Sequence, residues 1–350
     1  LKQLAAGEFM AEKRRRNTGK STLADVARLV GVSTMTASRA LRMPEKVSSD
    51  IREKIDAAVA ELGYVPNLQA RNLASASSKL ITMVVPSFAT PGCAAVSEAL
   101  QAVLRPEGYN VMLAEARHSA AGENELIEML LSYNPAAMVH FNFDNPEAAH
   151  RQLSHSGLPV MDIGGVHHDS AGISIGVDYA KAIRQLIQTL IEKGFRHPGL
   201  LCTQTSNTIF SQLLNGWHSG MLAHNLSPHR VVTSPQPAGF AAGHALLPEI
   251  QLTWPEIDVL ICTSDEVACG VIMACHASGI AIPSQLAVAS IGGGHLAAVC
   301  SPPLTTVVLP YAEMGKLAGK RLLAALQGEE PPGWNELPVT LQPRASTGKS

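Results

Sequence analysis

The chain has 350 residues, 46% of them apolar and 16% charged, with a formal net charge of −2; that composition excludes a disordered chain, and the length exceeds one ordinary core and implies two or three domains. It contains no run of ~18 apolar residues and no basic-then-apolar opening, so neither a transmembrane helix nor a signal peptide is expected, and the cytoplasm is the expected compartment. The six cysteines are far apart without a CxxC pair, which points to buried free thiols rather than disulfides or zinc ligands.

The opening LKQLAAGEFM meets its first methionine at Met10, just before the basic run Lys13, Arg14, Arg15 and Arg16, and residues 1–20 read as a disordered basic tail or a remnant of expression. Residues 11–80 carry 13 Lys and Arg against 7 Asp and Glu, whereas residues 81–350 carry 13 against 21. A basic head on an acidic body suggests that the head alone meets a polyanion; taken by itself, the basic run reads equally well as a solvated tail.

Residues 21–65 read as three helices. Thr22-x-x-Asp25 has capping-box spacing ahead of Leu23, Val26, Ala27 and Val30, predicting a first helix from about Leu23 to Leu29 that ends at Gly31. Ser33 can cap a second helix through Ala40, and the small Ala27 and Ala37 suit a close crossing, which makes a helix-turn-helix. In that geometry Thr34, Met35 and Arg39 face base edges, with Arg39 suited to guanine and Met35 to an apolar contact, while Ser33, Thr36 and Ser38 are placed for phosphates. A third helix follows from Ser49 to Leu62, stopped by Gly63. Residues 66–79 then form a short segment with Asn67, Arg71 and Leu73 and a Ser/Ala linker.

The runs TLADVARLVGVSTMTASRAL and VSSDIREKIDAAVAELGYVPNLQARNLA, with TTVVLP far downstream, resemble the LacI/GalR family of bacterial transcriptional repressors over nearly the whole chain. TMTASRALRMPEKVS is most similar to the subgroup of gluconate-utilisation repressors. The resemblance implies that 66–74 is a hinge helix forming on operator DNA, with Asn67 and Arg71 among its contacts and Leu73 a wedge between base steps in the minor groove. From the residues alone, Leu73 reads as an exposed linker leucine.

From Leu80 apolar runs alternate with amphipathic stretches: 80-LITMVVP-86, 94-AAVSEALQAVLRPEG-108, 109-YNVMLAEA-116, 122-GENELIEMLLSYN-134 and 136-AAMVHF-141. Unalternating runs are strands buried on both faces, so this is an α/β body of parallel sheet. The order repeats after 178-DYAKAIRQLIQTLIEKGF-195, with strands near 198–202, 230–234, 258–263 and 286–292, giving two doubly wound lobes. The family resemblance implies a periplasmic-binding-protein-like body over 80–345. Its crossings would lie near Asp178, Thr306 and Gly328, giving an N-lobe of about 80–178 and 307–328 and a C-lobe of about 179–306 and 329–345.

Ligands of such sheets bind beyond the carboxyl ends of the strands. The candidates are Ser87, Phe88, Phe141, Asn142, Asp162, Phe210, Ser264, Asp265 and His295; Asp265 reads equally as a helix cap. The chain departs from the family in two places: Leu213 stands where an arginine would clamp the effector, and 290-SIGGGH-295 replaces a more polar turn. A carboxylate effector would then need Arg117, Arg151, Arg184 or His295.

The glycine cluster at 292 lacks a phosphate-loop context, His167-His168 lacks metal-ligand spacing, and no GxSxG elbow occurs. No cofactor is expected. The expectation is a repressor with operator DNA, a small sugar or sugar-acid effector and a second copy of the chain as partners, and no membrane. A solute receptor or carbohydrate enzyme on the same two-lobed fold is the alternative. Helices 94–104 and 265–277 are the expected dimer interface, or else simply core-facing.

Overall fold

The computed structural model describes residues 21–66, 78–116, 120–142, 147–165, 172–203, 208–235, 238–330 and 333–348. The chain divides into two compact units between Ser77 and Ser78.

The first unit holds α1 (Leu23–Val30), α2 (Thr34–Arg42) and α3 (Ser49–Leu62). Thr22 N–H donates to Asp25 at 2.9 Å, and Asp25 N–H donates to the Thr22 hydroxyl at 3.4 Å, so two helix-end donors are satisfied reciprocally. Gly31, at φ 74, sends its N–H back to the carbonyls of Ala27 and Arg28, and the Ser33 hydroxyl accepts from Thr36 N–H at 3.1 Å. The core of this unit is Val26, Ala27, Ala37, Ala40, Ile55 and Ala58. Its small residues let α1 and α2 approach closely.

The second unit contains two sheets. One runs in the order β11-β5-β4-β3-β1-β2, with β1 Leu80–Val85, β2 Asn110–Glu115, β3 Ala137–Phe141, β4 Val160–Gly165, β5 Ile173–Val177 and β11 Trp334–Glu336. All of its pairings are parallel. The other runs β12-β10-β9-β8-β6-β7, with β6 Pro198–Thr203, β7 Val231–Ser234, β8 Val259–Cys262, β9 Ala287–Gly292, β10 Thr305–Val308 and β12 Thr340–Gln342. There only β12 is antiparallel, against β10. The buried runs β1, β3, β6 and β8 are covered on both faces, as parallel sheets require.

The flanking helices are α4 (Cys93–Leu104), α5 (Ala120–Ser132) and α6 (Glu147–Ser156) in the first lobe. α7 (Tyr179–Glu192), α8 (Thr208–Ala223), α9 (Phe240–Thr253), α10 (Asp265–Ala277) and the short α11 (His295–Val299) follow, and α12 (Tyr311–Leu326) returns to α4.

Two sequence expectations change. The third crossing lies after Glu336 rather than near Gly328, because β11 pairs with β5 of the first lobe before β12 joins the second; residues 333–336 therefore belong to the N-lobe. Strands β4 and β5 were not anticipated. On helix α10, Val267, Ala268, Val271, Ile272, Ala274 and Cys275 are buried and α9 packs on it as α12 packs on α4, which fits the core-facing alternative for those residues, while Met273 on the same helix is 55% exposed. The Val and Cys content of α10 serves the chain's own core.

Candidate functional site

On α2, about 100° per residue places Thr34, Met35, Ser38 and Arg39 on one face and Ala37 and Ala40 on the other. Ala37 and Ala40 are buried against α1 and α3, whereas Met35 is 67% exposed. Thr34 and Arg39 are also exposed, and among the described residues no acidic side chain pairs with Arg39. Ser33 spends its hydroxyl on the helix cap and on Thr36 Oγ1, 2.9 Å away. Ser38 keeps its carbonyl under the Arg42 side chain at 3.3 Å. Asn67, Arg71 and Leu73 lie outside the described residues.

In the second unit a cleft open to solvent lies beyond the carboxyl ends of the strands. Pro86 follows β1, Asn142 follows β3, Thr203 ends β6, Thr263 and Ser264 follow β8, and Leu309 follows β10. Thr90 and Pro91 reach it from the loop before α4, and Ile209, Phe210 and Leu213 from α8. Tyr179 and Tyr311 enter where the chain passes between lobes. Their side chains are hydrogen-bonded to each other, and the Tyr311 ring meets Phe141 edge-on, with centroids 6.2 Å apart. Burial pushes both phenols up, so both stay protonated at neutral pH.

Of the sequence candidates, Asn142, Phe210 and Ser264 line this cleft. Asn142 adopts φ 49, and its N–H bonds the Ile163 carbonyl at 2.8 Å. Ser264 caps α10 by accepting from Val267 N–H at 3.2 Å. The others stand elsewhere. Ser87 turns its hydroxyl to Ala89 N–H at 3.2 Å, and Phe88 points to solvent at 55% exposure. Phe141, one residue before Asn142, is fully buried, because successive strand residues face opposite sides. Asp162 lies within β4, where its carboxylate meets His140 Nδ1 at 2.9 Å. Asp265 is buried and bound by Ser290, Thr306 and Gly294, and His295 is exposed at the start of α11.

The suggested cations do not reach the cleft either. Arg184 lies 3.9 Å from Asp178, Arg151 sits in a separate surface hollow with Glu128 and His155, and Arg117 falls outside the described residues. Thr90, Tyr179 and Tyr311 were not anticipated, although TTVVLP and Asp178 marked the crossings that bring the tyrosines in. Among the described residues there is no group of three metal ligands, and no helix is long and apolar enough to cross a membrane.

Comparison with known proteins follows the same division. Residues 22–67 match the bacterial regulatory proteins of the lacI family, and residues 187–347 match the periplasmic binding protein-like domain. The chain is 32% identical to the HTH-type transcriptional regulator GntR of Escherichia coli K12, over 93% of this chain and 98% of that one. It is 27% identical to the regulator IdnR of the same organism, over 88% and 93%. Its fold is similar to the lac repressor dimer bound to operator and the anti-inducer ONPF, with a TM-score of 0.80, 25% identity and coverage of 94% and 99%.

Proposed function

The chain belongs to the LacI family of bacterial regulatory proteins, a DNA-binding transcriptional regulator with a ligand-binding domain and not an enzyme; from that premise we propose that it is a repressor whose hold on operator DNA is set by a sugar or sugar acid in the cleft of its body. The observation that carries this reading is the pairing, in one chain, of an exposed Thr34–Met35–Arg39 face on α2 with a hydroxyl-lined cleft beyond the strand ends. A solute receptor or carbohydrate enzyme has no use for the first.

Linkage supplies the mechanism. A ligand that binds one arrangement of the two lobes better than the other shifts the population between them, and the same differential affinity appears as a change in operator affinity. Two copies of the chain, with two α2 helices on a palindromic site, double the base contacts available to one head. The resemblance of the reading helix to gluconate-utilisation repressors supports a sugar-acid family of effectors.

The test is selection of operator sequences by the full chain from a random duplex pool, followed by titration of the selected duplex with sugars and sugar acids. The expected result is a palindromic consensus whose complex dissociates when a member of this class is added. Sequence-indifferent binding, or a complex that no sugar or sugar acid alters, would refute the reading.

A further inference from the structure

We infer that Cys269 and Cys300 are a redox modification site, a thiol pair that peroxide closes into a disulfide and a thiol reductant reopens. Neither residue lines the cleft, and the site asks nothing of the effector.

Cys269 stands one turn into α10 and is 4% exposed, and Cys300 is the residue on which α11 ends. Helix α11 packs on α10. Ala297 is buried in the same cluster as Cys269, and Cys300 packs against that cluster. The two thiols meet there as a hydrogen-bonded pair, and Cys300 Sγ donates onward to the Pro302 carbonyl at 3.3 Å. The fold thus brings two sulfurs together from segments far apart in sequence, as disulfide closure requires. The remaining thiols are less suited. Cys93 belongs to the first lobe. Cys202 and Cys262 stand on neighbouring strands but one step out of register, so they enter different core clusters on opposite faces of the sheet. Cys275 leaves α10 on a different side from Cys269. All four are buried, and Cys300 alone is partly exposed.

The exposures set the order of events. Cys300 meets peroxide first: its thiolate attacks one peroxide oxygen, the O–O bond breaks, and sulfur gives up two electrons to become the sulfenic acid. The departing hydroxide takes the proton that the thiol released and leaves as water. Cys269 is shielded, and burial pushes its thiol up to about 12, so it does not compete for the oxidant. It resolves the sulfenic acid instead. Its sulfur attacks the Cys300 sulfur, the S–S bond forms, the S–O bond breaks, and the leaving hydroxide carries off the Cys269 proton as water. Two thiols and one hydrogen peroxide give one disulfide and two waters. Capture by a neighbouring thiol precedes a second oxidation and keeps the change reversible by thiol–disulfide exchange. The new bond ties α11 to α10 where Asp265 already accepts from Gly294 N–H at 2.6 Å. It closes the loop that carries β9 and α11, which restricts the unfolded chain and raises the melting temperature.

The test is exposure of the full chain to hydrogen peroxide, followed by intact mass, peptide mapping without reductant and thermal melting. The expected product is a chain lighter by two hydrogens, with Cys269 and Cys300 peptides linked, single-chain mobility on a non-reducing gel, and a melting temperature raised by several degrees. Dithiothreitol should restore both mass and melting temperature. Cys269→Ala should leave Cys300 as a sulfenic acid that dimedone traps, Cys300→Ala should leave Cys269 unmodified, and Cys93→Ala should oxidise like the parent. Two thiols still free after treatment, a Cys300–Cys300 bond between copies, or a linked chain that melts no higher than the reduced one overturns the inference and leaves the repressor reading intact. Should either variant fail to fold, the peptide map and melting of the parent chain decide the matter alone.

Discussion

The Ser290 hydroxyl donates to Asp265 Oδ1 at 2.6 Å inside the second lobe, where both residues are almost wholly buried. The same oxygen accepts from Thr306 Oγ1 at 2.9 Å, and the other accepts from Gly294 N–H at 2.6 Å. One carboxylate at the start of α10 thus ties β9, β10 and the turn at 293–294 together. This explains 290-SIGGGH-295: a Cβ on Gly292 would lie 2.9 Å from the Asp265 carboxylate. The run is shaped around Asp265 rather than stripped of ligand contacts.

Asp265→Ala should therefore destabilise the body by about 2–4 kcal/mol, since it leaves buried donors unpaired around an empty site. Urea unfolding of the full chain reads this directly. If the Asp265→Ala midpoint equals that of the parent while ligand affinity collapses, Asp265 is a ligand contact and not a bracket.

Gly270→Ala should also destabilise, against the helix-propensity rule that favours alanine by about 1 kcal/mol. A Cβ at Gly270 would stand 2.1 Å from the Phe240 carbonyl oxygen, and one at Gly243 would stand 2.0 Å from that of Val267. These are backbone atoms of the facing helix, so relief requires moving α9 off α10, and overpacking of this kind costs about 1–3 kcal/mol or more. The net loss in Gly270→Ala should be about 2 kcal/mol. Gly239→Ala is the control: its Cβ meets nothing within 4 Å, and its melting temperature should match the parent's.

What could be read from the residues alone was what depends on neighbours in sequence. The Thr22–Asp25 box, the Gly31 stop and the Ser33 cap are local devices, and the strands at 80, 137, 198 and 259 are mainly apolar runs without alternation. Strand β4 was hidden because 160-VMDIGG-165 interrupts its run with an aspartate whose partner, His140, lies on the neighbouring strand. The last crossing was hidden because β11 and β12 are short, partly exposed strands, so only their pairing partners decide which sheet each joins. In the cleft, Asn142, Phe210 and Ser264 were reachable as residues near strand ends. Thr90 depends on the path of a loop, and the placement of Phe141 against Asn142 turns on a single step of strand alternation.

The thiols make stability pH-dependent in a defined direction. Burial pushes Cys202 and Cys269 up to about 12, Cys275 to about 11, and Cys262 well up. The folded chain therefore keeps protons that the unfolded chain releases near the ordinary thiol value of 9.0. Stability is full below that pH and is lost as pH rises toward 11–12, with a limiting slope of about 1.4 kcal/mol per pH unit for each thiol. Tyr179 and Tyr311 add to the loss above pH ~10 by the same sign. Urea midpoints measured from pH 8 to 10.5 should fall, and Cys202→Ala should shallow the fall. A flat profile would mean that these thiols ionise freely in the folded chain. In Ellman titration at pH 8, Cys300, the one cysteine with partial exposure, should react first.

Arg39 and Met35 divide the work of α2 in a way that DNA binding can separate. Arg39 is exposed, charged and free of acidic partners among the described residues, so in a major groove it suits the paired acceptors of guanine. Met35, exposed to 67%, has no donor and can register only an apolar feature such as a thymine methyl. Arg39→Ala should weaken operator binding by about 1–3 kcal/mol, relax preference at one position of each half-site, and lower the salt slope only slightly. Met35→Ala should weaken binding less and change preference at a different position. Re-selection of operators by each variant from the same random pool is the measurement. If Arg39→Ala returns the parent consensus with uniformly weaker binding and a salt slope reduced by about one, the guanidinium contacts phosphate, and the base-reading face of α2 contracts to Thr34 and Met35.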